Sequence, residues 1–312
     1  MRIWSFVNGH WQRGEHDAAE VRWFDLTAED DAELDTLGER YHLHPLSIED
    51  CRSKLLHAPK IDDFGGYMFV VLQGVRPGMD GPRHEELDAF IGRDFLITYE
   101  EDRPGSTAGV CAVETALEQG VAVRPGADGI FYEIADRLVD ALLPEITALS
   151  EQLDTLEEQV LSGQHSEHQR QILNLRSQAG RMRRVMTPQL AVMQRLGRDE
   201  FAEIAATNRI YFRDIYDHMV RIDLGLEGLR EDAEVALSTY LSAFNNRISD
   251  VMRVLTVVGS LALPAALIAG IFGTNFQSVP FVRTDWGFGA MIGIMAVMAG
   301  SMALYFKSKG WF

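Results

Sequence analysis

The residues with chemistry to offer are carboxylates, one terminal amide and a few dispersed imidazoles. Asp214 and Asp217 sit in YFRDIYDH (211–218), Glu86 and Asp88 in ELDAFIG (86–92), and Asn275 closes the triplet Gly273-Thr274-Asn275. No HExxH, GxSxG or GxxxxGK[ST] pattern organises them, and the 9 histidines are scattered, so the chain is read as a non-enzyme without an organic cofactor. Cys51 and Cys111 lie far apart without a CxxC, which argues against a disulfide framework or a Cys-rich zinc site. On a helix, Asp214 reaches His218 and Asp217 reaches Arg221 at i,i+4, the spacing of a local ion pair. Asn275 beside Gly273 has the form of a helix C-cap. Formal net charge is −17, from 46 acidic and 29 basic residues. That balance lacks the basic footprint of a nucleic-acid binder. It suits a protein that handles cations, although ordinary solubility charge explains most of these acids equally well.

These groups must be positioned by a chain that ends in two apolar runs. Val254 to Gly273 is 20 residues without a charge, and Trp286 to Phe306 is 21 more. Each has the length a helix needs to cross a bilayer's hydrocarbon core. We expect a first span over 251–273, an extracytoplasmic loop over 274–285, a second span over 286–306 and a basic tail over 307–312. Arg247 and Arg253 precede the first span and Lys307 and Lys309 follow the second, so both ends are expected on the cytoplasmic side. Trp286, Tyr305 and Trp311 fit interface anchors. The N-terminal segment carries no secretory signal, so the roughly 250 residues before the first span are expected in the cytosol.

Gly259, Ala266 and Gly270 fall on roughly one face of the first span, with Leu255 and Leu263 on the same side and Pro264 in its middle. Small residues permit close helix packing. The same face could line a pore in which Leu255 and Leu263 are apolar constrictions that gate by dewetting. Spacing leaves these two readings level. A two-span chain cannot enclose a channel alone, so a pore requires a symmetric homo-oligomer.

Ahead of the spans, 2–7 and 21–26 read as short strands, and 28–38 as an acidic helix capped by Thr27. Tyr67 to Val75 is dense enough in apolar residues for a central strand, and Leu87–Ile91 with Phe95–Tyr99 reads as a hairpin around Gly92-Arg93-Asp94. A helix is expected over 106–119, between turns at Pro104-Gly105 and Pro125-Gly126. This makes 1–125 an α/β domain. From 126 to 250 the pattern is helical. Leu138, Leu142, Ile146, Leu149, Leu153 and Leu156 form one apolar face, Ser162-Gly163 breaks it, and a second helix runs about 167–196. The acidic stretch 151–159 is placed to pair with the basic RMRR (181–184), within or between subunits. A third helix starts near Ala202 and runs unbroken into the membrane, with Ile210, Ile215, Met219, Ile222, Leu226 and Leu229 on its apolar side.

IAGIFGTNF (268–276) and KSKGWF (307–312) resemble the signature of the CorA metal-ion transporter family, whose usual triplet is Gly-Met-Asn. HPLSIEDC (44–51), APKIDDFGGYMFVVLQGV (58–75), ELDAFIGRDFLITYEEDRP (86–104), YFRDIYDH (211–218) and NNRISDVMRVLT (245–256) resemble the same family in order. The resemblance implies a funnel-shaped homopentamer with a cytosolic α/β domain, a long helical stalk and a transmembrane hairpin. Five first spans would form the pore. It implies divalent-cation transport, with Mg²⁺, and also Co²⁺, as cargo and as regulatory ligand. Gly273, Thr274 and Asn275 would form the outer mouth, the Asn275 side chains meeting a hydrated cation. Ser249, Met252, Leu255, Gly259, Leu263, Ala266 and Gly270 would line or gate the path. Asp214 would join an intersubunit cation-sensing site, with Asp217, Glu86 and Asp88 as candidate companions.

The triplet departs from the family at Thr274, and the loop reads Gln277-Ser278-Val279-Pro280-Phe281 where magnesium members carry an acid. The ZntB branch shares both departures. A zinc transporter, proton-coupled or not, is therefore one alternative, and a membrane-anchored sensor without flux is another.

Overall fold

The computed structural model describes residues 1–53, 55–76, 83–100, 108–161, 168–274, 280 and 284–311. The chain divides into two compact units: Met1–Gln159 with Ser166–Leu237, and Val160–His165 with Ser238–Phe312.

The first unit is built on a sheet of strands β1 (Arg2–Val7), β2 (His10–Arg13), β3 (Val21–Thr27), β4 (Lys60–Asp63), β5 (Tyr67–Arg76), β6 (Arg83–Gly92) and β7 (Phe95–Glu100), in the order β2-β1-β3-β7-β6-β5-β4. Every pairing is antiparallel except β3 with β7, which runs parallel from Arg22 opposite Phe95 to Thr27 opposite Glu100. The expected hairpin is β6–β7. Its turn needs a glycine because a Cβ at Gly92 would sit 2.2 Å from the Phe95 ring. Strands β2 and β4 escape sequence reading because each is only 4 residues long and sits at an edge of the sheet.

Alternation sorts the sheet's two faces. Tyr67, Phe69 and Val71 join Phe24, Leu26, Phe90 and Ile97 in one core with Leu34, Leu37, Leu43 and Cys51. The last four come from α1 (Asp31–Tyr41), α2 (Pro45–Arg52) and the link between them. The first turn after Thr27 is a 3₁₀ turn, Ala28–Asp30, so the expected helix begins later and runs to Tyr41. Thr27 still closes its start: its N–H and Oγ1 both donate to Asp30 Oδ2, at 3.0 and 3.1 Å. Helix α2, within HPLSIEDC, has Pro45 at its first position, where a missing N–H costs nothing.

The opposite face is covered by α4 (Ala127–Asp140), which packs on β3, β5, β6 and β7 and carries α3 (Ala108–Glu118). The sheet's cover thus extends past residue 125, where the sequence suggests a boundary. Gly109 permits the α3–α4 approach, since a Cβ there would lie 2.4 Å from the Ile134 carbonyl oxygen. Gly126, at φ 92°, supplies the left-handed turn into α4. The expected single helix from 127 is interrupted at Ala141. Helix α5 (Leu142–Leu161) restarts there with Pro144 in its first turn, and a proline cannot donate to the preceding helix.

Helix α6 (His168–Leu196) lies against β4 and β5. Its buried Gln189 accepts the Gln73 N–H at 2.8 Å, which satisfies a strand donor beyond the reach of β4. Within the protomer, Arg183 of the RMRR segment pairs with Asp223 at 3.0 Å and with Glu227, both on α7 (Arg209–Phe272). Helix α7 starts at Arg209, later than the expected 202. Residues before it form a turn pinned by the buried Asp128, which accepts from Ala205 N and Asn208 Nδ2 at 2.8 and 2.9 Å. Ile210 is accordingly exposed, and Phe212 is the first buried residue of the α7 seam that continues through Ile215, Met219, Ile222, Leu226 and Leu229.

In the second unit, α7 continues to Phe272 and is followed by α8 (Gly287–Ser308). Both are long and apolar enough to cross a membrane, and only 6% of each apolar window is buried within the chain, unlike a soluble core helix. Phe306 stacks on Trp311 at 5.3 Å, and Arg253 lies 5.9 Å over the Trp311 ring. The Ser162-Gly163 and Pro104-Gly105 breaks and Asn275 lie outside the described residues.

Candidate functional site

In the first unit, two helices each contribute ligands one turn apart. Asp136 and Asp140 project from α4 and His218 from α7, with one ligand atom of each within 4.8 Å of the others. Asp214 joins the group through His218, its Oδ2 lying 3.9 Å from His218 Nε2. The i,i+4 spacing places both pairs on facing helix sides. Aromatic packing sets the helices at this separation: Tyr132 meets Tyr211 at 5.3 Å and Phe131 meets Phe212 at 6.1 Å. Arg124 lies 3.4 Å over the Tyr211 ring.

The donor set fits a dication. Burial raises the Asp136 carboxyl above its ordinary range, and the neighbouring charges of Asp140 and Glu133 raise it further. A bound cation removes that repulsion. Carboxylates suit Mg²⁺ or Co²⁺, and the imidazole tilts the set toward Co²⁺ or Zn²⁺. Sequence reading reached Asp214 and saw His218 only as its ion-pair partner. Asp136 and Asp140 were missed, although DRLVD repeats the same i,i+4 spacing in a helical segment.

Asp217 is exposed on α7, outside this group. Glu86 and Asp88 lie on β6, on the sheet face that α2 covers. Glu86 is held by the His57 backbone N–H and by His57 Nδ1, the latter at 2.8 Å. Asp88 is 4% exposed and lines a small cavity with Cys51 and Tyr99. Burial, followed by the Glu86 charge, raises Asp88 to about 7. Burial also pushes the Cys51 thiol well up, with the Asp88 charge adding to it.

In the second unit, Ser249, Met252, Leu255, Gly259, Leu263, Ala266, Gly270 and Gly273 follow one another at spacings of three or four. At roughly 100° per residue they fall within an arc of about 120° on α7. All but the half-buried Gly259 are exposed in the protomer, Leu255 at 63% and Leu263 at 72%. Off the arc, Val254 and Val258 are exposed too, at 63% and 56%, and Val257 is buried. At the helix end Gly273 N donates to the Ala269 carbonyl at 2.9 Å. Thr274 Oγ1 donates to the Ile271 carbonyl at 2.7 Å, so the central triplet side chain is tied back to its own helix.

The family model described as CorA-like Mg²⁺ transporter protein matches residues 18–308. The chain belongs to the CorA family. Its members are divalent metal-ion transporters, not enzymes. The Bacillus subtilis protein YfjQ is 29% identical, with 93% of this chain and 89% of that protein covered. The cobalt/magnesium transport protein CorA of Thermotoga maritima is 28% identical, over 95% of this chain and 84% of that protein. Zinc transport protein ZntB of an Enterobacter is 27% identical, over 86% and 81%. The solved CorA magnesium transporter of Methanocaldococcus jannaschii superposes with a TM-score of 0.88 at 18% identity, covering 100% of this chain and 99% of that one. The α/β unit, the long helix and the C-terminal apolar helix are thus the CorA fold.

Proposed function

We propose that five copies of this chain enclose a pore that moves Mg²⁺, and also Co²⁺, down its electrochemical gradient across an inner membrane, with both termini cytoplasmic. The observation that carries this is the single arc on α7 from Ser249 to Gly273, which holds small and apolar residues and no charge. An inside-negative potential favours dication entry by roughly 4.6 kcal/mol per 100 mV, so no ATP is needed. Leu255 and Leu263 form apolar rings that dewet when narrow. Gly273, Thr274 and Asn275 form the outer mouth, where the Asn275 amide meets a cation that keeps its water.

Gating follows from the cluster on α4 and α7. Cytosolic cation bound at Asp136, Asp140, His218 and Asp214 cancels carboxylate repulsion and favours the closed arrangement. Loss of the ion shifts the population toward the conducting one. The helix that carries His218 also carries Leu255.

Zinc transport is the second reading. It is favoured by Thr274 in the triplet, by a loop without the usual acid, and by the ZntB relatives. Flux into liposomes of Mg²⁺, Co²⁺ and Zn²⁺ at two pH values, with Asn275→Ala as control, separates the readings. Zinc-selective, pH-dependent flux would replace the magnesium assignment, and assembly without any flux would end both.

A further inference from the structure

A small cavity of about 20 Å³ lies between α2 and β6, lined by Cys51, Ser53, Leu55, Leu56, Glu86, Asp88 and Tyr99. That is room for one water or one ion. Its polar wall is built from groups that a protein interior does not leave idle. Asp88 and Cys51 are each 4% exposed. The Cys51 thiol and the Asp88 carboxyl share this cavity. Asp88 Oδ1 has no hydrogen-bond partner among the described residues. An orphaned buried carboxylate oxygen costs several kcal/mol unless something fills its coordination. Glu86, the second oxygen donor, is oriented by His57 at 2.8 Å. A metal ligand is held in place by an outer hydrogen-bond partner in the same way.

We propose that this cavity is a metal site, separate from the Asp136 cluster, that takes one thiolate-accepting dication of the Zn²⁺ or Co²⁺ type. Cys51 Sγ, Asp88 Oδ1 and a Glu86 oxygen are its protein ligands. Binding expels the thiol proton to solvent and involves no electron transfer. The sulfur donor decides the class of ion: thiolate selects zinc-like metals, whereas Mg²⁺ requires an octahedron of oxygens. The bound ion would tie the C-terminal end of α2 to strand β6. The assignment is independent of what the pore carries.

Cobalt titration of the full-length, detergent-purified, chelator-treated chain tests it. One equivalent of Co²⁺ should produce a sulfur-to-cobalt charge-transfer absorption in the near ultraviolet. Zn²⁺ should abolish that absorption, and excess Mg²⁺ should leave it. The oxygen–imidazole cluster at Asp136 has no sulfur and cannot give this signal. Cys51→Ser should remove the absorption, and Cys111→Ser, at the exposed cysteine, should retain it. Asp88→Asn, nearly isosteric, should weaken Co²⁺ affinity by at least the roughly tenfold seen when outer partners are lost. Equal unfolding temperatures in chelator would show that the variants are folded. The proposal is overturned if Cys51→Ser keeps the absorption, if Cys111→Ser loses it, if Asp88→Asn binds as tightly as the parent, or if the parent gives none and the cavity holds only water.

Discussion

Asp128 Oδ2 accepts hydrogen bonds from Asn208 Nδ2 at 2.9 Å and Ala205 N at 2.8 Å, joining the first turn of α4 to the residues that start α7. These two helices carry Asp136, Asp140, Asp214 and His218, so this buried carboxylate adds to the aromatic packing that holds the metal-ligand pairs at their separation. Asp128→Ala leaves two donors unpaired and should cost about 3 kcal/mol, the scale for a buried charged hydrogen bond plus its orphans. Thermal unfolding should show a fall of several degrees, and Asn208→Ala a smaller one.

The cation cluster predicts a ligand-linked stability. Mg²⁺, which the thiolate site between α2 and β6 does not take, should raise the unfolding temperature of the parent protein, because an ion that binds only the folded state stabilises it by mass action. Asp136→Asn and His218→Ala should each shift the concentration for half-maximal stabilisation upward by tenfold or more. Asp217→Asn, outside the cluster, should leave it unchanged.

Feedback on flux supplies a separate test. Asp214→Ala should let Mg²⁺ flux continue at internal Mg²⁺ that shuts the parent. Identical dependence on internal cation in the two proteins would remove Asp214 from sensing.

The arc on α7 predicts position-specific effects on flux. Leu263→Ala widens an apolar ring and should raise basal Mg²⁺ flux several-fold. Ile268→Ala, on the helix's other side, removes similar bulk and should not. Equal effects at the two positions, measured in liposomes, would deny that the arc faces the path.

Asp88 predicts a pH dependence of stability in metal-free protein. Its folded-state proton affinity is raised, to about 7, above that of an unfolded aspartate. Its contribution is therefore full below the ordinary carboxylate range and is lost as pH rises through about 7. Asp88→Asn should remove this step from a chelator-treated unfolding series taken from pH 5 to 8.

The sequence is legible where one physical signal dominates. Charge-free length marks α8 and the apolar part of α7. The apolar density of YMFVVLQGV and FLITY marks β5 and β7; β5 from Tyr67 to Gly74 and all of β7 are buried on both faces. Thr27 and Gly92 mark a cap and a turn by their own chemistry. What escapes is set by distant partners. The start of α7 at Arg209 depends on Asp128, and the orientation of Arg183 depends on Asp223. The pairing of Asp136 with His218 crosses two helices 82 positions apart, which follows from the residue numbers (218 − 136) but from no local pattern. The Cys51–Asp88 contact is equally silent, since it depends on strand alternation bringing β6 beneath α2.

The parallel joining of β3 to β7 has a consequence for how the chain acquires its shape. Arg22 cannot meet Phe95 until the whole β4–β6 meander between them exists. On a growing polypeptide, the N-terminal strands must therefore wait with one edge open until residue 100 has emerged. That seam closes the largest loop in the sheet, and its formation should set the pace of folding for the α/β unit.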